Sequence, residues 1–116
     1  MDYREILRRL AIGDTSLLEV VAGNETGHSA GSGLDAKTAA FARLGASVAL
    51  GASPAGYQYH VDAAFAAGAT TGEIVGVLIA VGSTVGLARV VSAAPALGLA
   101  VGYDPDAALE KLDPME

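Results

Sequence analysis

His60 is the residue of this chain that is best suited to proton transfer near neutral pH. The ordinary pKa of an imidazole lies close to neutrality, so the ring can act as an acid or as a base. Tyr57 lies three residues before His60, and this spacing puts both side chains on one face of a helix. His60 is therefore a candidate for a catalytic acid or base, although for a lone histidine a structural role is favoured. The alternative is a structural histidine that bonds to a backbone carbonyl or to a neighbouring subunit.

Two arginines are candidates for binding an anionic ligand. Arg89 is a lone cation within a long apolar stretch, and its planar guanidinium suits a substrate carboxylate. The alternative is an ion pair with Asp62 or Glu73, because buried arginines are usually paired. Arg43 has the same two interpretations, and we expect it at the surface. Arg89 is therefore the candidate for a substrate-binding cation, and the ion pair is the favoured alternative.

Three polar residues near His60 in the sequence are candidate substrate contacts. Ser53 precedes Pro54 in the pattern of a helix N-cap, which already accounts for its hydroxyl. No Gly-x-Ser-x-Gly motif surrounds Ser53, so a nucleophilic role is disfavoured. Adjacent helix positions point in different directions, so at most one of Tyr57 and Tyr59 is expected to face a site. We predict Tyr57 and Ser53 as substrate-binding residues.

The composition excludes several kinds of site and partner. The chain has no Cys, which rules out disulfides, thiolate metal sites and thiol catalysis. The two histidines, His28 and His60, lack the spacing of a metal-binding pair, so we predict no metal and no other cofactor. With 13 acidic against 7 basic residues and a net charge of −6, the chain is not expected to bind nucleic acid.

No membrane segment or export signal is predicted. The N-terminal residues carry charges among their apolar positions, unlike a signal peptide. The longest uncharged apolar run, residues 74–88, is shorter than the roughly 20 residues that a membrane span needs. We therefore expect a cytoplasmic protein without a membrane partner, in which this run is a helix buried in the core.

Capping residues predict where the helices begin and end. Asp14, Asp35 and Ser53 each precede a helical segment, and Thr70 and Glu73 form a capping-box pattern. We expect a helix to break or kink at Pro95. No segment alternates as a β-strand does. The prediction is an all-α single domain over residues 1–116 with five to seven helices: N-terminal helices within residues 2–23, a glycine-rich loop over 23–33 and an acidic tail over 102–116.

The side chains available for packing are unusually small. Alanine and glycine make up 39 of the 116 residues, and the chain has no Trp. Few aromatic residues are present to dominate the energy of a core. Glycines repeat at the spacing Gly72-x-x-x-Gly76 and Gly82-x-x-x-Gly86, which allows helices to approach closely. We therefore expect close helix packing and association of subunits through helix faces.

Residues 34–93 resemble the carboxymuconolactone decarboxylase family, which includes the AhpD-like alkyl hydroperoxidases. The resemblance depends on LDAKTAAFARLGASVALGA and on the stretch that begins YHVDAAFAAGATTGEI. Its most specific part runs from His60-Val61 through Gly68-Ala69-Thr70 to Glu73-Ile74. The resemblance implies an all-α fold and a trimer or hexamer with sites at subunit contacts. It also pairs His60 with the family's histidine.

The sequence departs from the family pattern at the other reactive positions. AhpD-like members carry Cys-x-x-Cys, and the matching positions here are Ser53 and Gly56. Their proton-relay glutamate matches the stretch Ala39-Ala40-Phe41, which has no acid. The decarboxylase branch has a glutamate four residues before the histidine, which is again Gly56. Of the family's reactive groups, only His60 is present.

Three functions remain to be compared. The first is a lyase-like enzyme that acts on a small organic acid or lactone, with His60 as acid or base. The second is a non-catalytic oligomer that binds a small molecule or serves a structural role. The third, hydroperoxide reduction, is disfavoured because the thiolate is the nucleophile of that chemistry and the chain has no Cys.

Overall fold

A computed structural model describes residues 2–23 and 32–103, and these residues form six α-helices without a β-strand. The all-α prediction is therefore confirmed. Residues 24–31, which include His28 and most of the predicted loop, and residues 104–116 of the predicted tail lie outside the described residues. The helices are α1 (Tyr3–Ala11), α2 (Thr15–Gly23), α3 (Ala36–Leu50), α4 (Pro54–Ala66), α5 (Thr71–Val85) and α6 (Leu87–Ala100).

The predicted capping residues start the helices of the bundle. The Asp35 carboxylate accepts a hydrogen bond from the Thr38 N–H (2.7 Å), and the Ser53 hydroxyl accepts one from the Gly56 N–H (3.1 Å). Thr70 and Glu73 form the reciprocal capping box, with bonds of 3.1 Å and 3.0 Å. Each cap satisfies an N–H that the first helical turn leaves without a backbone partner. These predictions are confirmed.

Helices α3 to α6 pack into one bundle around a small apolar core. Its largest fully buried side chains are Leu44, Val48, Val61 and Ile74. Helix α3 packs against α4 and α5, and α6 closes the bundle against α4 and α5. Helices α3 and α5 approach closely at Gly45, where a Cβ would lie 3.2 Å from Val81 Cγ1. Small residues therefore bring α3 and α5 together, as the composition predicts.

The two N-terminal helices pair with each other and not with the bundle. Within the described residues, α1 and α2 are in contact, but neither packs against α3 to α6. No residue of either helix is buried. The Cα atoms accordingly extend over 63 × 27 × 20 Å. This hairpin leaves apolar side chains such as Leu7 and Val21 exposed.

The prediction that α5 is buried all round is wrong for a single chain. Ile74 and Leu78 lie in the core, but the Ile79 side chain is 76% exposed. On α6, Leu87 and Val91 are 76% and 71% exposed. The reason is that, among the described helices, α5 packs only against α3, α4 and α6, which leaves its outer face exposed.

Of the break or kink predicted at Pro95, the break does not occur, because α6 continues through Pro95 from Leu87 to Ala100. Proline has no N–H to donate to the carbonyl of Val91, one turn earlier. Val91 is exposed, so water can bond to its carbonyl. No helix among the described residues is both long enough and apolar enough to cross a bilayer.

Candidate active site

A cleft of about 640 Å³ opens between the end of α2, one face of α3 and the middle of α4. Its volume lies within the range of about 300–1,000 Å³ that is usual for small-molecule sites. The described residues that line it are Val21, Arg43, Ala46, Ser47, Leu50, Tyr59 and His60. The cleft therefore contains His60, the predicted acid or base.

Helix α3 supplies four lining residues, which follow a helical spacing of three, four and seven from Arg43. The neighbouring residues Leu44 and Val48 are fully buried and hold the rotation of α3. That rotation turns Arg43 and Ser47 toward the edge of the core. The Ser47 hydroxyl donates to the Arg43 carbonyl one turn earlier (2.9 Å), so its proton is already used.

Helix α4 supplies the aromatic side of the cleft. Tyr57, Val61 and Ala64 anchor it in the core, which leaves Tyr59 and His60 at the cleft. The two rings meet edge to face, with centroids 5.2 Å apart and planes at 83°. The Tyr59 side chain is 51% exposed, whereas His60 is half-buried. The imidazole thus lies at the boundary between the protein interior and solvent.

The surroundings of His60 favour its neutral form. Partial burial removes water from the imidazolium and lowers its pKa below the ordinary value of 6.5. The positive charge of Arg43 lowers this pKa further. At pH 7 the imidazole is therefore mainly neutral and can accept a proton.

A family model of carboxymuconolactone decarboxylases matches residues 17–98. The chain belongs to the carboxymuconolactone decarboxylase family. The matched segment contains every described residue that lines the cleft. It also begins earlier than the predicted family-like core of residues 34–93 and takes in most of α2. Comparison with curated proteins and with solved structures gave no match.

At the positions where this chain departs from the carboxymuconolactone decarboxylase pattern, the residues have structural roles. Ser53 and Gly56 form the first turn of α4, where the hydroxyl of one caps the N–H of the other. A Cβ at Gly56 would lie 3.3 Å from the Ala52 Cβ, which is a tight contact. Ala39 and Ala40, where the AhpD-like glutamate would match, are buried in the bundle. Among the described groups at these positions there is no acid or nucleophile to assist His60.

Two residues predicted to bind substrate have other surroundings in the structure. The Tyr57 side chain is only 3% exposed and packs in the core cluster. Ser53 accepts the capping hydrogen bond described above. Neither is among the described residues that line the cleft. Of the two tyrosines near His60, it is Tyr59 that reaches the cleft.

Arg89 also lies away from the described cleft lining. It is an exposed residue of α6, and its guanidinium lies over Gly51 at the end of α3. A Cβ at Gly51 would be 2.5 Å from Arg89 Nη1, and Gly51 has a φ of 71°. A cation suits this place because the C-terminus of a helix carries partial negative charge.

The alternative ion pairs proposed for Arg89 have other partners in the structure. Glu73 bonds to Lys37 across α5 and α3 at 2.7 Å. Asp62 accepts a hydrogen bond from the Gln58 side chain at 2.8 Å. Both carboxylates therefore have partners other than Arg89 within the bundle.

Sequence reasoning assigned Arg43 to the surface and did not select Ser47, Leu50 or Val21. The structure instead places Arg43 half-buried in the wall of the cleft. A signal was present, because Arg43, Ser47 and Leu50 share one helical face. The pattern could not show that this face lies opposite His60, since α3 and α4 meet only in the folded bundle.

Proposed function

We propose that this chain is a lyase-like enzyme that acts on a small organic acid or lactone, with His60 as its acid or base. One observation carries the proposal: a half-buried histidine borders a ligand-sized cleft, and its environment lowers its pKa. Perturbed titratable groups in clefts are typical of active sites. Membership of the carboxymuconolactone decarboxylase family supports the same reaction class.

His60 can supply the proton that a decarboxylation consumes. When the C–C bond to a carboxylate breaks, CO₂ leaves and the electron pair of that bond stays on the neighbouring carbon. The imidazolium is the minor form of His60 at pH 7, but the lowered pKa makes it a stronger acid. It donates a ring N–H proton to this carbon and becomes neutral. Solvent then returns a proton to the ring, so that one proton is consumed for each CO₂ released.

A second candidate function is binding without turnover. The observation that favours it is the cleft lining, because no described residue there is a carboxylic acid that could assist His60, and the Ser47 hydroxyl already donates to the Arg43 carbonyl. In this alternative the cleft holds a small carboxylate or lactone and His60 provides a hydrogen bond. Hydroperoxide reduction is not proposed, because the chain has no Cys to supply the thiolate.

The test compares His60→Gln with Asp62→Asn, an exposed change on the same helix. A panel of carboxylated lactones and small keto acids is assayed for CO₂ release. We expect turnover in the unaltered chain and in Asp62→Asn, and a loss of at least about a hundredfold in His60→Gln, as is usual for a general acid or base. Binding of panel members without turnover by the unaltered chain would favour the second candidate. Equal turnover by His60→Gln would contradict the catalytic role of His60.

We also propose that the protein is a homo-oligomer, either a trimer or a hexamer. The support is the exposed apolar face of α5 and α6, which includes Ile79, Leu87 and Val91. Contiguous exposed apolar surface on a small domain is typical of an association surface.

A further inference from the structure

We propose that Arg43 is the anion-binding residue of the cleft and holds a ligand carboxylate beside the ring of His60. This inference rests on the proposed function, since it assumes that the cleft is the ligand site. It assigns to α3 a role that the sequence pattern assigned to Arg89. Arg89 instead lies over the end of α3 and is not among the described lining residues.

The charge of the cleft favours an anion. Arg43 is the permanently charged residue among the described lining residues, and His60 is mainly neutral at pH 7. The charge of Arg43 is opposite in sign to the net charge of −6 of the chain. A cleft of one sign with apolar walls concentrates ligands of the opposite sign.

The shape of the guanidinium suits a carboxylate. It presents five N–H donors in a planar fork, which allows two parallel hydrogen bonds to the two carboxylate oxygens. Partial burial of Arg43 strengthens such a contact relative to one in bulk water. Ala46, Leu50 and Val21 supply apolar surface for the carbon skeleton of the ligand. The described lining thus combines a cationic side chain that can bind a carboxylate with apolar side chains that can contact the rest of the ligand.

A carboxylate on Arg43 would also change the acidity of His60. Among the described residues, the groups that face His60 are Arg43 from α3 and Tyr59 from its own helix, while α2 contributes the apolar Val21. The Arg43 cation disfavours the imidazolium, and a bound anion offsets that cation. Ligand binding is therefore coupled to proton uptake by His60, which makes the acid available when the ligand is in place.

The carboxylate held by Arg43 is one that remains on the ligand. An ion pair to the carboxylate that leaves as CO₂ would stabilise the ground state and slow the reaction. An ion pair to a second carboxylate positions the ligand equally before and after the bond breaks. Arg43 therefore determines which ligands are held beside His60.

The test is a binding experiment on the full chain with γ-carboxy-γ-butyrolactone and with its uncharged primary amide. Nuclear magnetic resonance follows the His60 ring signals during each titration with ligand and with pH. We expect the carboxylate to bind, to shift the His60 signals and to raise the pH midpoint of His60, and the amide to bind at least tenfold more weakly. Equal binding of the two probes would overturn the proposal without the use of any variant.

Variants locate the binding group. Arg43→Gln should weaken carboxylate binding at least tenfold and raise the pH midpoint of His60 in the free protein, because the cation is gone. Arg43→Lys keeps the charge, so it should retain the low midpoint but bind more weakly, since an ammonium lacks the planar fork. Arg4→Gln removes a charge from the exposed side of α1 and is the control for net charge. Loss of binding in Arg89→Gln with full binding in Arg43→Gln would overturn the proposal.

The binding experiment and the turnover assay can fail independently of each other. If carboxylate binding depends on Arg43 but no lactone is turned over, the enzymatic proposal fails and the Arg43 assignment stands. If turnover depends on His60 but binding is unaffected by Arg43→Gln and Arg43→Lys, the assignment fails and the enzymatic proposal stands.

Discussion

At His60, burial and the neighbouring cation act in the same direction. Both disfavour the charged imidazole, and burial is the larger cause. The fold therefore favours a neutral imidazole at the edge of the core, and no described residue of the cleft lining is a carboxylate. Tyr57 and His60 lie on one helix, as their spacing predicts, but Tyr57 packs in the core and the tyrosine at the cleft is Tyr59.

The lowered pKa of His60 predicts a dependence of stability on pH. The unfolded chain has the ordinary His60 pKa and binds a proton at higher pH than the folded chain does. As the pH falls through the unfolded pKa toward the folded pKa, the free energy of unfolding decreases. The contribution is constant above the unfolded pKa.

Urea unfolding at about pH 7.5 and about pH 5.5, where carboxylates remain ionised, measures this dependence. We expect His60→Gln to lose less stability between these two pH values than the unaltered chain loses. Arg43→Gln should show an intermediate loss, because it removes only the second of the two causes. An identical pH dependence in His60→Gln and in the unaltered chain would contradict the prediction.

At the scale of the elements, helix caps account for residues that also looked functional. The Ser53 hydroxyl bonds to the first turn of α4, and Arg89 lies over the end of α3. Both polar groups were candidates for a site because they are rare in an apolar sequence. Helix ends supply the polar backbone groups that such residues satisfy.

The capping role of Ser53 gives a prediction that a substrate contact would not. Ser53→Ala should lower the free energy of unfolding by about 0.5–2 kcal/mol, whereas Ser53→Asp should retain most of the stability. Chemical denaturation measures both, and carboxylate binding to the cleft should be unchanged in Ser53→Asp. Loss of binding in Ser53→Asp with unaltered stability would instead indicate a role for the hydroxyl at the site.

At the scale of the whole molecule, the outer face of α5 and α6 is as apolar as much of the core. Its exposed residues include Ile79 and Val91, and the buried core consists mainly of Ala, Val and Leu. A core of such small side chains provides limited stabilisation for one chain. Association through this face would bury the remaining apolar surface.

Ile79→Glu tests this association. A charge placed on the apolar face should shift the oligomer toward smaller species in light scattering at micromolar concentration, because burying an unpaired carboxylate is costly. Ala42→Glu adds the same charge at an exposed position of α3 and should leave the mass unchanged. A stable monomer of the unaltered chain under these conditions would contradict the proposed trimer or hexamer.

The sequence by itself determined the fold class and most helix boundaries. Caps such as Asp35 with Thr38 and Thr70 with Glu73 are hydrogen bonds between residues three positions apart. They form wherever the local chain begins a helix, so no tertiary contact is needed to predict them. His60 was likewise predicted from its residue type and from the family pattern.

Only the tertiary structure decided which residues accompany His60. Many positions of α3 and α4 are small or apolar, so periodicity does not show which face of α3 lies against which face of α4. Burial of Leu44, Val48 and Val61 settles the rotation of the two helices. That rotation brings Arg43 to the cleft and takes Tyr57 into the core. The same physics decided the exposure of Ile79, because the burial of an apolar face depends on which other surfaces are present to cover it.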